Sequence, residues 1–142
     1  MVLYAKDILE TDFLSLSAGT TVLEAAKAMK EKRHGFVIVG SPNSPNGIVT
    51  EWDLVAKVVA EGRDPVKVTL ADVMTRELFT ISSNEGIATV AKIMSEKGVR
   101  RILIKDGDKV VGYITAKTML ANLEAYVDKV SSQISRLQAP WF

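Results

Sequence analysis

The sequence predicts an α+β fold in which one unit, ordered strand–helix–strand–strand–helix, occurs twice in tandem and is followed by a C-terminal helical extension. Two observations predict this fold. The chain aligns with itself when it is displaced by 65 positions, and short apolar runs rich in β-branched residues alternate with longer segments of helical periodicity. A chain of 142 residues is long enough to bury a hydrophobic core in such an arrangement.

The internal repeat extends over most of the chain. Residues 7–60 align with residues 72–125 without a gap, and they share eleven identities in 54 pairs. The apolar pattern repeats more strongly than the identities, because Val37-Ile38-Val39 aligns with Ile102-Leu103-Ile104. We therefore predict four parts: a first repeat over 5–62, a linker over 63–69, a second repeat over 70–126 and a C-terminal helical extension over 127–142.

The first helix of each unit has one apolar face. Thr21 can cap this helix in the first unit, with Glu24 completing a capping-box pattern, and Gly98 is a natural stop in the second unit. The apolar positions follow the i, i+3, i+4, i+7 spacing of a buried helical face. They are Val22, Ala25, Ala26 and Met29 in the first unit, and Ile87, Val90, Ala91 and Met94 in the second.

Strands lie on either side of this helix in sequence. A short extended piece at Leu14-Ser15-Leu16 precedes the helix in the first unit. Two apolar runs, too short for helices and rich in β-branched residues, follow the helix in each unit, and turn-forming residues join them as a hairpin. The predicted hairpin strands are Phe36–Val39, Gly47–Thr50, Arg101–Ile104 and Val110–Thr115.

The last helix is predicted to be longer than its counterpart, which ends near Gly62, because no stop signal lies between Lys117 and Leu137. Within the repeat we expect part of its apolar stripe to join the core, whereas the part beyond Val127 needs a partner or a second subunit. The apolar tail over 139–142 either packs inside a dimer or frays. The stripe consists of Met119, Leu120, Leu123, Tyr126, Val127, Val130, Ile134 and Leu137.

Composition disfavours several classes of function. The chain has 18 Lys and Arg against 17 Asp and Glu, one His and no Cys. Disulfide frameworks, thiolate chemistry and thiolate-built metal sites are therefore excluded, and a net charge of +1 gives no broad attraction to nucleic acid or anionic membranes. Without a long apolar run or a secretory signal, we expect a cytoplasmic protein that does not enter membranes.

Several segments together resemble the cystathionine-β-synthase (CBS) domain. These are the duplicated element order, the opening turns at Asp7-Ile8-Leu9 and Asp72-Val73-Met74-Thr75, and Gly47-Ile48-Val49-Thr50-Glu51-Trp52-Asp53 at the end of the first hairpin. The resemblance covers about residues 5–126. It implies two repeats packed through their sheets with approximate twofold symmetry, a common homodimer, and clefts that bind AMP, ADP, ATP, S-adenosylmethionine or NAD as regulatory ligands.

Thr50 and Asp53 have two explanations. As a Thr-x-x-Asp helix start, Thr50 caps the helix and Asp53 lies favourably near its positive end. In the Gly-x-x-Thr-x-x-Asp pattern of the resembling family, the threonine region binds phosphate and the carboxylate accepts from both ribose hydroxyls. The two roles can coexist.

The resemblance also implies which other residues complete this ligand site. Ile48 and Val49 would form an apolar wall, and Arg100 and Arg101 would approach the phosphates, unless they are simply a solvated strand edge. Segments of the second repeat would line the base. They are Thr69, Leu70, Ala71, Leu78, Phe79 and Thr80.

The second repeat departs from the pattern, because Thr118 stands where the aspartate belongs. A hydroxyl cannot replace a charged, bidentate acceptor for a diol, so we expect a weaker or empty cleft there, in which Lys117 could still recruit an anion. His34 and Trp52 are weaker candidates for ligand contacts.

The leading functional hypothesis is a non-catalytic sensor of adenine nucleotides or energy status that changes shape or dimer geometry when it binds its ligand. The alternatives are a dimeric scaffold whose last helix docks an unidentified effector protein, and a nucleic-acid-binding protein, which the near-neutral charge disfavours. No phosphate loop, zinc-binding helix or nucleophile elbow is found in the sequence, so we expect neither catalysis nor a metal.

Overall fold

The computed structural model describes residues 3–136. It confirms an α+β fold made of two repeated units and a long C-terminal helix. The first unit begins with a short helix, and a π-helical turn at Val55–Val59 continues its last helix. Its elements are α1 (Ala5–Ile8), β1 (Leu14–Leu16), α2 (Val22–Lys32), β2 (Phe36–Ser41), β3 (Ser44–Thr50) and α3 (Glu51–Leu54).

The second unit repeats this order, and most of its bounds are those of the first unit displaced by 65 residues. The last helix, however, runs for 21 residues and passes the end of the repeat, as the missing stop signal predicts. The elements are α4 (Leu70–Val73), β4 (Thr80–Ser82), α5 (Ile87–Lys97), β5 (Arg101–Asp106), β6 (Lys109–Thr115) and α6 (Ala116–Arg136).

Each unit contains one three-stranded sheet. In the first, β1 pairs parallel to β2, and β2 pairs antiparallel to β3 with Ile38 opposite Ile48. In the second, β4, β5 and β6 repeat this topology with Leu103 opposite Tyr113. The hairpin strands extend one to three residues further into the turns than predicted, so that only Pro42 and Asn43 lie between β2 and β3.

Alternation along the strands divides the apolar residues between two faces of each sheet. In β2, Val37 and Val39 face α2 in the first core, whereas Phe36 and Ile38 face the other sheet. Leu103 of β5 faces them, and together these side chains join the two units through a shared apolar cluster. The space between the repeats is therefore bounded by the inward faces of both sheets.

The short opening helices are exchanged between the units. Helix α1 contributes Ala5 and Ile8 to the core of the second unit, and α4 contributes Leu70 and Val73 to the core of the first. The segment after each helix forms a two-hydrogen-bond bridge with the other unit's last strand. The bridged pairs are Glu10 with Tyr113 and Thr75 with Ile48.

These exchanged segments pass directly over Gly47 and Gly112. A Cβ on Gly47 would lie 2.6 Å from the Thr75 carbonyl oxygen, and a Cβ on Gly112 would overlap the Glu10 carbonyl oxygen. Real Cβ atoms do not approach backbone this closely, so the crossing requires glycine at both positions. Both glycines belong to the motif that precedes the predicted ligand residues.

Of the sequence expectations about burial, the one for Ala91 is wrong and the one for the last helix is met by a single residue. Ala91 is exposed on α5, because Ile93 packs against the core in its place together with the predicted Val90 and Met94. In α6 no residue is fully buried, and of its stripe only Met119 packs against a core cluster. Leu137 and the apolar tail at 139–142 lie outside the described residues.

Substituting Gly47 with alanine should destabilise the fold by about 1–3 kcal/mol, since the new methyl group would push the exchanged segment away from β3. Gly112→Ala should have a similar effect for the same reason. Gly19→Ala is the matched control, because a Cβ at that position would meet no atom within 4 Å, and we expect a change of about 0.5 kcal/mol or less. Urea unfolding measures all three, and equal midpoints for Gly47→Ala and Gly19→Ala would contradict the crossing constraint.

Candidate functional site

The start of α3 is fixed by a reciprocal cap between Thr50 and Asp53. The Asp53 amide donates to the Thr50 hydroxyl at 3.4 Å. The Asp53 Oδ2 accepts from the Thr50 amide at 2.8 Å and from the Thr50 hydroxyl at 3.2 Å. The structural explanation of this Thr-x-x-Asp spacing is therefore confirmed.

The other carboxylate oxygen of Asp53 is also engaged. Its Oδ1 lies 3.0 Å from the Lys57 ammonium group, which in turn donates to the carbonyl oxygen of Val73 at 2.8 Å. Lys57 thereby connects α3 of the first unit to the exchanged helix α4. Since Asp53 is buried, the ion pair compensates a charge that would otherwise be costly in this position.

Two cavities are described between the repeats, and we call them the larger and the smaller cleft. The larger cleft has a volume of about 1070 Å³. It lies where β3 and the start of α3 face the exchanged segment after α4, and where the loop 98–100 connects α5 to β5. Thr50 and Thr75 are among the residues that line it. A volume of this size is at the upper end of the range of small-molecule sites.

The structure brings half of the sequence-predicted site residues to the larger cleft. Six of the predicted residues line it: Ile48, Thr50, Leu78, Phe79, Arg100 and Arg101. Both arginines of the second repeat line the cleft. Side chains alternate between the two faces of a sheet only within a strand, and β5 begins at Arg101, so Arg100 is not forced to the opposite face.

The other half does not line this cavity, and a role for these residues in ligand binding stays a prediction. Val49 and Leu70 are fully buried in the first core, because alternation turns Val49 towards α2 and the exchange places α4 there. Thr69 caps α4 by bonding to Asp72. The remaining three, which also do not line the cleft, are Asp53, Ala71 and Thr80.

The larger cleft is positively charged on balance. Four cations line it, against the carboxylates of Glu51 and Glu77. One of the cations, the Lys97 ammonium group, lies 4.3 Å from the centroid of the Phe79 ring, a cation–π contact. The four cations are Lys97, Arg100, Arg101 and Lys117.

Arg101 is the most constrained of these cations. Its guanidinium lies over the Phe36 ring, 4.8 Å from the centroid, and close to the backbone of Gly35. Burial lowers the pKa of Arg101, and the Glu51 carboxylate opposes that shift. The group stays a cation at neutral pH. Gly35 leaves the space that this side chain occupies, since a Cβ there would lie 2.7 Å from a guanidinium nitrogen.

The smaller cleft, of about 490 Å³, is the counterpart of the larger one around Thr115 and Thr118. Here the cap lacks a carboxylate, and the two threonine hydroxyls share a hydrogen bond at 2.9 Å. Asn122, at the position equivalent to Lys57, donates to the Thr118 carbonyl oxygen. Lys117 lines both clefts, as does Arg101.

The sequence analysis did not predict that Glu51 and Tyr113 line the clefts, or that Lys57 pairs with Asp53. The i, i+4 spacing of Asp53 and Lys57 was a visible signal, whereas the contact of Tyr113 with Glu10 depends on the exchange of segments. Burial raises the pKa of Tyr113 to about 12, together with the hydrogen bond to Glu10 and the nearby carboxylates, so its hydroxyl stays protonated at neutral pH.

Comparison with known families agrees with this architecture. The sequence model of the CBS domain matches residues 5–60 and 70–125, one match for each repeat. This chain belongs to the CBS domain family. Tandem CBS pairs are generally regulatory modules, and the resemblance noted in the sequence is confirmed.

Similar proteins include both sequence relatives and solved structures. An uncharacterized protein of Methanopyrus kandleri is 31% identical over 136 residues, which is 93% of this chain and 68% of the relative. The hexameric CBS-CP12 protein from bloom-forming cyanobacteria is 32% identical with a TM-score of 0.75, covering 84% of this chain and 67% of that one.

A third similar structure contains ligands. It is the CBS domain pair of protein MJ0100 in complex with 5′-methylthioadenosine and S-adenosyl-L-methionine, which is 25% identical with a TM-score of 0.74. The match covers 89% of this chain and 99% of that one. Within residues 3–136 of the present chain, no helix has the length and apolar character needed to cross a membrane.

Replacing Lys57 with methionine should lower the free energy of unfolding by about 1–3 kcal/mol, because the buried Asp53 carboxylate loses its charged partner and α4 loses a hydrogen bond. Lys92→Met is the matched control. It removes another i, i+4 pair, with Glu96, but both side chains are mostly exposed, so we expect about 0.5 kcal/mol or less. Urea unfolding compares the two variants. An equal decrease in the free energy of unfolding would show that the Asp53–Lys57 ion pair stabilises the fold no more than an exposed pair does.

Proposed function

We propose that this protein is a regulatory, non-catalytic module whose larger cleft binds an adenosine-containing ligand such as AMP, ADP, ATP or S-adenosylmethionine. The observation that carries the proposal is the pairing, in one cleft between the repeats, of an apolar wall with four cations. Ile48, Leu78, Phe79 and Leu103 offer a surface for a flat base. Arg100 and Arg101 offer guanidinium groups to phosphate oxygens.

The ligand-bound MJ0100 pair supports the adenosine assignment, because a protein of the same fold and similar sequence holds two adenosine-containing compounds. The bridging position of the cleft supports a regulatory role. A ligand that contacts both repeats binds most tightly to the arrangement of the repeats in which it makes the most contacts. It therefore shifts the conformational equilibrium towards that arrangement. Compounds of this kind could report nucleotide or energy status in the cytoplasm.

Recognition of a ribose diol by Asp53 would have to share a carboxylate that is already bonded on both oxygens. Its Oδ2 accepts from Thr50 and its Oδ1 pairs with Lys57, so incoming hydroxyl groups compete with bonds already present in the chain. The proposal therefore assigns base and phosphate recognition to residues that line the cleft, and it keeps diol recognition by Asp53 as a separate prediction.

Isothermal titration calorimetry with AMP, ADP, ATP, S-adenosylmethionine and NADH tests ligand binding. We expect at least one compound to bind with one site per chain in the larger cleft, and to raise thermal stability by about 2.7 kcal/mol at a hundredfold excess over Kd. For a nucleotide, Arg100→Gln should weaken binding about tenfold. Arg33→Gln is the control, because Arg33 lines only the smaller cleft, and its effect should stay within about twofold.

Absence of binding by all five compounds, or equal losses in the two variants, would count against the larger cleft. Diol recognition is tested with the wild-type protein, so that the helix cap is not disturbed. If Asp53 accepts both hydroxyls, 2′-deoxy and 3′-deoxy analogues should each bind about tenfold more weakly than the parent nucleotide. Equal affinities would leave Asp53 with its structural role only.

A second function, assembly through the long helix, is favoured by one specific observation. Leu120 and Val127 of α6 are each more than half exposed, and Val55, the residue equivalent to Leu120, is also exposed. Apolar side chains at matching positions of both repeats suit a homodimer interface that obeys the symmetry of the pair. The end of α6 beyond the repeat, which includes the exposed Ile134, would then be available to an effector protein.

Leu120→Lys should shift the protein from dimer towards monomer, because it places a charge in the apolar contact. Ser131→Lys, at an exposed polar position of the same helix, should leave the oligomeric state unchanged. Sedimentation velocity across a concentration series distinguishes these results, and a wild-type monomer at all concentrations would contradict the dimer. Removal of residues 128–142 should abolish effector binding and leave the nucleotide response intact.

A further inference from the structure

The two clefts are related by the repeat but differ in what lines them. In the larger cleft, Leu78 and Phe79 provide the apolar wall for a base. The residue equivalent to Leu78 in the first repeat is Phe13, which stacks on Phe36 with ring centroids 6.5 Å apart and packs into the cluster between the sheets. Phe13 does not line the smaller cleft.

Most residues that line the smaller cleft therefore carry polar side chains, and it exposes less apolar surface than the larger cleft. Apart from Ala121 and the ring of Tyr113, its lining consists of glycine and of charged, hydroxyl, imidazole and amide groups. It also lacks the carboxylate of the helix cap, since Thr118 replaces aspartate and its hydroxyl is bonded to Thr115. A nucleoside would find less apolar surface here than in the larger cleft, and no charged acceptor for its sugar at this cap.

The charges in the smaller cleft favour an anion. Arg33, Arg101 and Lys117 line it, against the single carboxylate of Glu10. His34 lines it too. Three cations against one carboxylate give the lining of this cavity, of about 490 Å³, a net positive charge.

His34 is a further polar residue of this lining. Its Nε2 is buried and has no hydrogen-bond partner in the described part of the chain. The nearest carboxylate oxygen, on the exposed Asp12, is 3.6 Å away, which is beyond hydrogen-bond distance. Buried polar atoms are almost always paired, so a ligand oxygen in the smaller cleft would satisfy this nitrogen.

We infer that the smaller cleft is a binding site for a compact oxyanion of the phosphate type, held by Arg33, Arg101 and Lys117, with His34 and Thr115 as hydrogen-bonding groups. The site is chemically distinct from the larger cleft, because it recognises the anion without a base or a sugar. It does not depend on the proposed adenosine ligand.

Inorganic phosphate is the probe, titrated into the full chain at constant ionic strength and followed by ¹⁵N–¹H NMR. We expect saturable shifts of the amides of Thr115 and Thr118. Arg33→Gln should weaken phosphate binding at least tenfold. Arg100→Gln is the matched control, since Arg100 lines only the larger cleft, and its effect on these shifts should stay within twofold.

Thr118→Asp provides a second variant that should fold, because it recreates the Thr-x-x-Asp cap found at the start of α3. It should also weaken phosphate binding at least tenfold, through repulsion between the new carboxylate and the oxyanion.

Equal phosphate affinity in wild-type, Arg33→Gln and Thr118→Asp proteins would overturn the inference. So would phosphate shifts confined to the amides of Thr50 and Arg100, or equivalent shifts of Thr115 and Thr118 on titration with adenosine. Loss of adenylate binding in the larger cleft, by contrast, would leave it standing.

Discussion

The exchange of the opening helices between the two repeats is the constraint on which the rest of the structure depends. Because α1 completes the core of the second unit and α4 completes the core of the first, neither repeat has a full core by itself. The exchanged segments cross the last strands so closely that Gly47 and Gly112 cannot carry a side chain without a shift of the backbone. The same crossing brings Thr75 and Leu78 of the second repeat to the cleft beside Thr50.

The Asp53–Lys57 pair connects this architecture to the candidate site. Lys57 binds both the buried carboxylate and the Val73 carbonyl oxygen, so one side chain joins the cap of α3 to the exchanged helix α4. A ligand that drew Asp53 out of the cap would at the same time loosen this connection. The helix cap at Thr50 and the exchanged helix α4 are therefore joined by a direct contact between the repeats.

The two clefts are not electrostatically independent. Arg101 and Lys117 line both, and the Arg101 guanidinium lies between Phe36, Gly35 and the Glu51 carboxylate. An anion in either cleft changes the field at the same two cations over distances shorter than the Debye length. The first repeat has Phe36 and Gly35 where the second repeat has Arg101 and Arg100. The two repeats therefore differ in charge at this point.

The sequence by itself determined the duplicated fold, the long last helix and the identity of the Thr50–Asp53 cap, because hydrophobic periodicity and helix-capping patterns act over a few residues. It also placed Ile48, Leu78 and Arg100 correctly at the cleft. Only the tertiary structure decided that Val49 and Leu70 belong to the first core and that both carboxylate oxygens of Asp53 are already bonded. Those outcomes follow from the side of the sheet that each strand residue faces and from the exchange of α1 and α4, and both depend on contacts between residues distant in sequence.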